Sequence, residues 1–185
     1  VIVAKGTTNT YVAEELLGKQ IAHGALVYGR VYPEKNANKL PDTNPVPEIV
    51  LVKGEYRPEI SIFEALEKLQ PGDVVIKGRN ALDYQNKTAA VMIGAPDGGT
   101  TGKIMPYVVA RKAHLVIPIG LEKQVSGNVL ESHLKMREPV ESLNNVPSQF
   151  LLTGDIVTEI EGLEILADVE GFRASAGGIG GAEGG

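Results

Sequence analysis

Apolar residues fall in short blocks along this chain, separated by glycine, proline and asparagine. Val1-Ile2-Val3-Ala4 predicts a buried strand, followed by a Gly6-Thr7-Thr8-Asn9 loop and a helix over Tyr11 to Gly18, with Gly18 as its stop. Thr8 or Asn9 is the expected N-cap, because a short side-chain oxygen there accepts from a free backbone N–H. Ala22 to Tyr32, rich in Val, Tyr and Gly, reads as extended; Lys35 to Pro47 is a loop by its Asn and Pro content; Glu48 to Val52 is extended again. These segments predict an inserted β-hairpin around 22–54. Ser61 to Gln70 is a helix, with Ile62, Ala65, Leu66 and Leu69 at helical spacing and Ser61–Glu64 as a capping box. Pro71-Gly72 ends it and Val74-Val75-Ile76 forms the next strand, which breaks abruptly into Lys77-Gly78-Arg79-Asn80.

Ala89 to Ile93 is a further apolar strand, running into Gly94-Ala95-Pro96-Asp97-Gly98-Gly99-Thr100-Thr101-Gly102-Lys103. A helix from about Ile104 to Lys112 places Pro106 in its first turn, where proline is tolerated, and Arg111 and Lys112 at its C-terminal end. His114 to Ile117 is another buried strand. Residues 121–150 pattern weakly, as mixed loops with a short helix. Asp155 to Ala167 is a helix, and Gly171 to Ser175 a strand entering the glycine-dense tail 176–185. Apolar strands alternating with helices predict an α/β fold with a mainly parallel, Rossmann-like sheet covered by helices on both faces. Residues 1–150 are assigned to one ligand-binding domain, and 151–185 to a C-terminal βα segment that belongs to it or opens a further one.

The composition narrows the function. At 43% hydrophobic and 22% charged residues the chain is of ordinary globular type. No apolar run reaches the roughly 18 residues of a membrane helix, so no membrane partner is expected. A net charge of -5 argues against a general nucleic-acid binder. The absence of cysteine excludes disulfides, thiolate metal sites and cysteine nucleophiles, and fits a cytoplasmic protein. The missing initial Met and the Gly184-Gly185 end suggest a fragment of a longer protein.

Ligands of open α/β sheets sit beyond the carboxyl ends of the strands. Three loops are expected there: Gly6, Thr7, Thr8 and Asn9; Lys77, Gly78, Arg79 and Asn80; and Gly98, Gly99, Thr100, Thr101 and Lys103. Glycine lets the backbone approach a ligand, while Thr hydroxyls, helix N–H groups and the cations favour an anion. Each loop alone also reads as an ordinary strand-to-helix turn with solvated cations. Their recurrence after three strands favours a pocket for a small phosphorylated or carboxylated metabolite. A Walker loop is rejected at Gly102-Lys103, because Asp97 stands at its first glycine and Ile104 at its Ser or Thr. G-x-G-x-x-G fails in the tail, where Glu183 stands at the third glycine; the tail is an anion cradle or a flexible linker. His23, His114 and His133 lack metal-ligand spacing, so no metal is assigned, and no cofactor is named.

In element order, "VAKGTTNTYVAEELLG", "ALEKLQPGDVVIKGRNALD" and "MIGAPDGGTTGKIMPYVVARKAHLVIPIGLEK" resemble the superfamily of ribose-5-phosphate isomerase, glucosamine-6-phosphate deaminase, DeoR-type sugar-sensing domains and CoA transferases. The likeness covers roughly residues 1–18 and 61–123 and implies a sugar-phosphate loop at Gly6 to Asn9. The departures fall on the chemistry. Lys77 stands at the isomerase's first aspartate, Asn80 at its second, Gly94 at its loop lysine and Gly102 at its catalytic glutamate. Isomerisation needs a carboxylate base, so ribose 5-phosphate isomerase activity is not expected. Asp83 is the candidate replacement base, with Asp97 a second. The expected function is binding of the anionic metabolite, with isomerase- or transferase-like chemistry left open. The alternative is a non-catalytic metabolite sensor or an oligomer-forming protein of the same fold; a homo-oligomer is compatible with each.

Overall fold

The computed structural model describes residues 1–28, 45–144 and 146–175. Nine strands and five helices follow one another in these residues: β1 (Ile2–Val3), α1 (Thr7–Leu17), β2 (Ile49–Val52), β3 (Glu55–Tyr56), α2 (Ile62–Glu67), β4 (Val74–Ile76), β5 (Ala81–Asp83), β6 (Thr88–Ile93), α3 (Gly99–Ala110), β7 (His114–Pro118), α4 (Val129–Lys135), β8 (Ser148–Leu152), β9 (Asp155–Val157) and α5 (Glu159–Ala167). The fold is α/β. A six-stranded mixed sheet has the order β3-β2-β1-β4-β7-β9. Within it β1, β4, β7 and β9 are parallel, while β2 runs antiparallel to both β1 and β3. A second sheet, β5-β6-β8, is antiparallel throughout.

The apolar strands alternate their side chains between two cores, as the pleat requires. Ile2, Val75, Leu115 and Ile117 face Leu66 and Leu69 near α2, Ile104 and Val108 of α3, and Leu82, Ala89 and Leu152 of the second sheet. Val3, Ile76, Ile49 and Leu51 face Ala13 of α1 and the turn residues Ile21, Ala25 and Leu26. The six-stranded sheet is thus covered on both faces, which is why its central strands read as unbroken apolar runs.

Local signals set several boundaries as expected. Gly18 closes α1 in the left-handed conformation at φ 62°, and Ser61 and Glu64 make a reciprocal capping box on α2. Other expectations need correction. Ala89–Ile93 is not a strand of the parallel sheet: β6 pairs antiparallel with β5 and β8, because two short neighbours supply its ladder. Residues 22–28 carry no strand and turn at 23–26, with Gly6 N–H donating to the Leu26 carbonyl and Val46 N–H to that of Ala25. The observed hairpin is β2–β3, turning at Lys53-Gly54, both at positive φ; the rest of the expected pairing lies outside the described residues, as does the tail 176–185. Asp155–Val157 is a strand, and the helix begins only after Thr158, whose hydroxyl accepts from Ile160 N–H. Gly171 to Ser175 carries no strand. Helix α3 starts at Gly99, so Pro106 lies in its interior, where it withdraws one N–H from the helical ladder. No helix among the described residues is long and apolar enough to cross a membrane.

The C-terminal helix is held to the second sheet by a polar network. The Glu161 carboxylate accepts from Lys87 Nζ at 2.8 Å, Tyr84 Oη at 2.8 Å and Thr158 N–H at 2.8 Å. Burial acts to raise the Glu161 pKa, but the bonds from Lys87, Thr158 and Tyr84 outweigh it and hold the carboxyl down at about 2. A depressed folded-state pKa gives stability that is fully present above the ordinary Glu value of 4.5 and is lost as pH falls through about 2. Discounted for the solvent that still reaches this carboxylate, the loss is about 1–2 kcal/mol. Urea unfolding of the wild type and Glu161→Gln across that acid range is expected to show the wild type losing this increment and the variant lacking it. Parallel acid curves would refute the linkage.

Candidate functional site

The carboxyl ends of β1, β4 and β7 lie side by side, because these strands are parallel neighbours in the order β1-β4-β7. Three segments leave that edge: Ala4 to Asn9, Lys77 to Asn80, and Ile119 to Lys123. Asn9 joins the first two. It is fully buried, and its Nδ2 donates to the Ala4 carbonyl at 2.7 Å and the Ile76 carbonyl at 3.3 Å. It is not the N-cap of α1. Gly6 holds that position, no side chain caps the helix, and no acidic residue occupies its first turn. Uncapped N–H groups and the positive end of the dipole therefore remain at Thr7 and Thr8.

Gly78 passes close over Asn9. A Cβ at Gly78 would stand 3.3 Å from Asn9 Oδ1, close enough that the amide would have to give by a few tenths of an ångström, and 3.5 Å from the Pro118 carbonyl oxygen. Asn9 Oδ1 itself is buried and has no hydrogen-bond partner.

Arg79 follows, only 3% exposed. Its Nη1 donates to the Gly78 carbonyl at 2.7 Å, while Nε and Nη2 are buried without a partner. Among the described residues no carboxylate forms an ion pair with it. Burial pushes the guanidinium down to about 9, which leaves it charged at neutral pH. A buried, uncompensated cation with free donors is costly.

Lys77, half-buried, has no side-chain hydrogen bond or ion pair among the described residues. Burial first, then the charge of Arg79, lower its ammonium to about 8; Glu48 opposes them, and Lys123 adds a smaller push in the same direction as Arg79. Lys123 arrives on the short 3-10 turn Leu121–Lys123 after β7. Its Nζ donates to Thr8 Oγ1 at 3.4 Å and lies 3.6 Å from Glu122 Oε1. The edge thus brings Lys77, Arg79 and Lys123 together with Glu122, a helix N-terminus and an unpaired amide oxygen.

The other expected residues sit elsewhere in the network. Asn80 Oδ1 accepts from Met92 N–H, tying the start of β5 to β6. Asp83 is buried at the opposite end of β5, about 13 Å of extended chain from Arg79. Its Oδ1 accepts from Asn86 N–H at 3.0 Å and its Oδ2 from Asn86 Nδ2 at 2.8 Å. The Asn86 bonds hold this carboxyl below its usual range, as a brace of the β5–β6 turn.

Gly98 to Lys103 leaves the antiparallel sheet rather than a parallel strand. Gly98 and Gly99 adopt φ of 77° and 57°, and a Cβ on Gly102 would fall 2.4 Å from the Asp97 carbonyl oxygen, so the sharp entry into α3 accounts for these glycines. Thr101 is buried in α3 and Thr100 half-buried. Lys103 lies 3.5 Å from Asp97 Oδ2 and 5.2 Å from the centre of the Phe63 ring. Gly94 is exposed with open space around it.

Sequence reasoning missed Lys123. The rule that singled out Lys77 applies equally to the turn after His114–Ile117, which is where the signal lay. No family model, curated protein or solved structure matches the chain.

Proposed function

We propose that the carboxyl edge of β1, β4 and β7 binds the phosphate or carboxylate group of a small metabolite, in a Rossmann-like domain akin to the sugar-phosphate isomerase and CoA-transferase superfamily. The observation that carries this reading is Arg79: a buried guanidinium with Nε and Nη2 unpartnered. An anion at these donors would offset its charge and form charge-assisted hydrogen bonds. Lys77, Lys123 and the uncapped start of α1 add to the same field. The β1–Gly6–α1 unit supports the family likeness, with Gly6, Thr7, Thr8 and Asn9 at the sugar-phosphate loop.

A second reading, metabolite sensing without turnover, draws on Asp83. Both its oxygens are engaged by Asn86, so it is poorly placed to act as a base.

Calorimetric titration with inorganic phosphate and with small phosphate esters tests the site. Lys123→Ala is expected to weaken binding by about 10- to 150-fold, the worth of one hydrogen bond to a charged group. Lys103→Ala is expected to leave it unchanged, because that ammonium serves Asp97 and Phe63. Absence of binding by the wild type at millimolar phosphate, or equal effects of the two variants, would refute the proposal.

A further inference from the structure

Lys77 lends its charge to the proposed anion site, yet its amine makes no bond among the described residues. We infer that Lys77 provides an amine that condenses with the carbonyl carbon of an anionic aldehyde or ketone, whose phosphate or carboxylate is held by Arg79. The inference rests on the anion-binding reading and names its substrate class.

Three features single out this amine. It is half-buried beside a fixed buried cation two residues along the chain. It has no bond or ion pair among the described residues, whereas Lys123 is engaged by Thr8 and Glu122, Lys87 by Glu161 and Lys103 by Asp97. And an unpartnered acceptor, Asn9 Oδ1, lies against Gly78 between Lys77 and Arg79 in sequence. The groups that set the amine's charge are Arg79 and Lys123, which oppose protonation, and Glu48, which favours it. Burial and these cations bring it to about 8, so near neutral pH more of it is free base than of an ordinary lysine. Desolvated lysines next to another cation are activated nucleophiles for this reason.

The step balances without a co-reactant. The free amine's lone pair attacks the carbonyl carbon, and the C=O π pair moves to oxygen, which takes up a proton. Loss of one proton from the nitrogen then gives a neutral carbinolamine. Loss of water, after a second proton reaches that oxygen, breaks the C–O bond and leaves a C=N bond to Nζ. The retained N–H proton makes the product an iminium ion, and amine, carbonyl compound and one net proton give iminium and one water. The ligand's own anion on Arg79 offsets the iminium charge.

The test treats the full chain at pH 7.5 with glycolaldehyde phosphate and cyanoborohydride, which reduces the imine to a stable amine, and maps adducts by peptide mass spectrometry. Lys77 is expected to be modified at least about tenfold faster than the exposed Lys53 and Lys112. Inorganic phosphate should slow it, and glycolaldehyde, lacking the anion, should label it no faster than those exposed lysines. Lys77→Arg removes the amine and is expected to lose the adduct. Labelling in proportion to exposure, with phosphate binding intact by calorimetry, overturns the imine and leaves the anion site standing. Equal labelling of Lys77 by glycolaldehyde and its phosphate, without phosphate competition, overturns both.

Discussion

Arg79→Met is expected to raise the stability of the ligand-free protein while abolishing its affinity for phosphate. The two effects have one cause. The guanidinium is buried with two of its nitrogens unpartnered, and no carboxylate among the described residues compensates it. Methionine fills a similar volume without a charge to desolvate. Replacing buried charge by apolar atoms is typically neutral to stabilising, here by about 1–3 kcal/mol. Phosphate affinity should fall by at least about 10- to 150-fold, since more than one charge-assisted bond is removed. Urea unfolding with and without phosphate reads both effects. The variant's midpoint is expected above the wild type's in phosphate-free buffer. Added phosphate should raise only the wild type, because a ligand stabilises the state it binds. A stability lowered by more than about 1 kcal/mol, with phosphate binding unchanged, would make Arg79 a structural residue.

Asn9→Ala is expected to cost about 2–4 kcal/mol of stability, which is large for a single polar side chain. Asn9 has no exposed surface, and its Nδ2 bridges the carbonyls at the ends of β1 and β4. Ile76 O keeps a second donor in Ala4 N–H at 3.0 Å, so the Ala4 carbonyl suffers most. Truncation leaves that acceptor bare and opens a void beneath Gly78. Asn9→Leu separates the two contributions: the branched shape is roughly kept and the donor lost without burying a charge. It should recover the packing part but not the hydrogen-bond part in urea denaturation. Wild-type midpoints for both variants would show that the amide does not tie the strands.

The central strands were legible because burial on both faces demands uninterrupted apolar residues, as in Val74-Val75-Ile76 and Leu115-Val116-Ile117. The second sheet was not. β5 is three residues long, and its Ala81-Leu82-Asp83 looks like the tail of a turn until β6 and β8 are beside it. The burial of Asn9 was hidden for a related reason: Asn after a Gly-Thr loop carries the same local signature whether it caps a helix or bridges two strands. Lys77 and Arg79 stood out by position, but their partnerless state depends on which carboxylates the fold brings near, which no local pattern encodes.

The two outer strands of the main sheet bear on how copies of this protein can meet. β3 offers only Glu55 and Tyr56, and β9 only three residues beginning with the exposed Asp155. Strands this short, each carrying an acidic side chain, make poor templates for backbone pairing with another molecule. Self-association by end-to-end growth of the sheet is disfavoured at those strands. An assembly built on the main sheet would have to form through its side-chain faces instead, and so would leave that sheet's hydrogen-bond ladder closed upon itself.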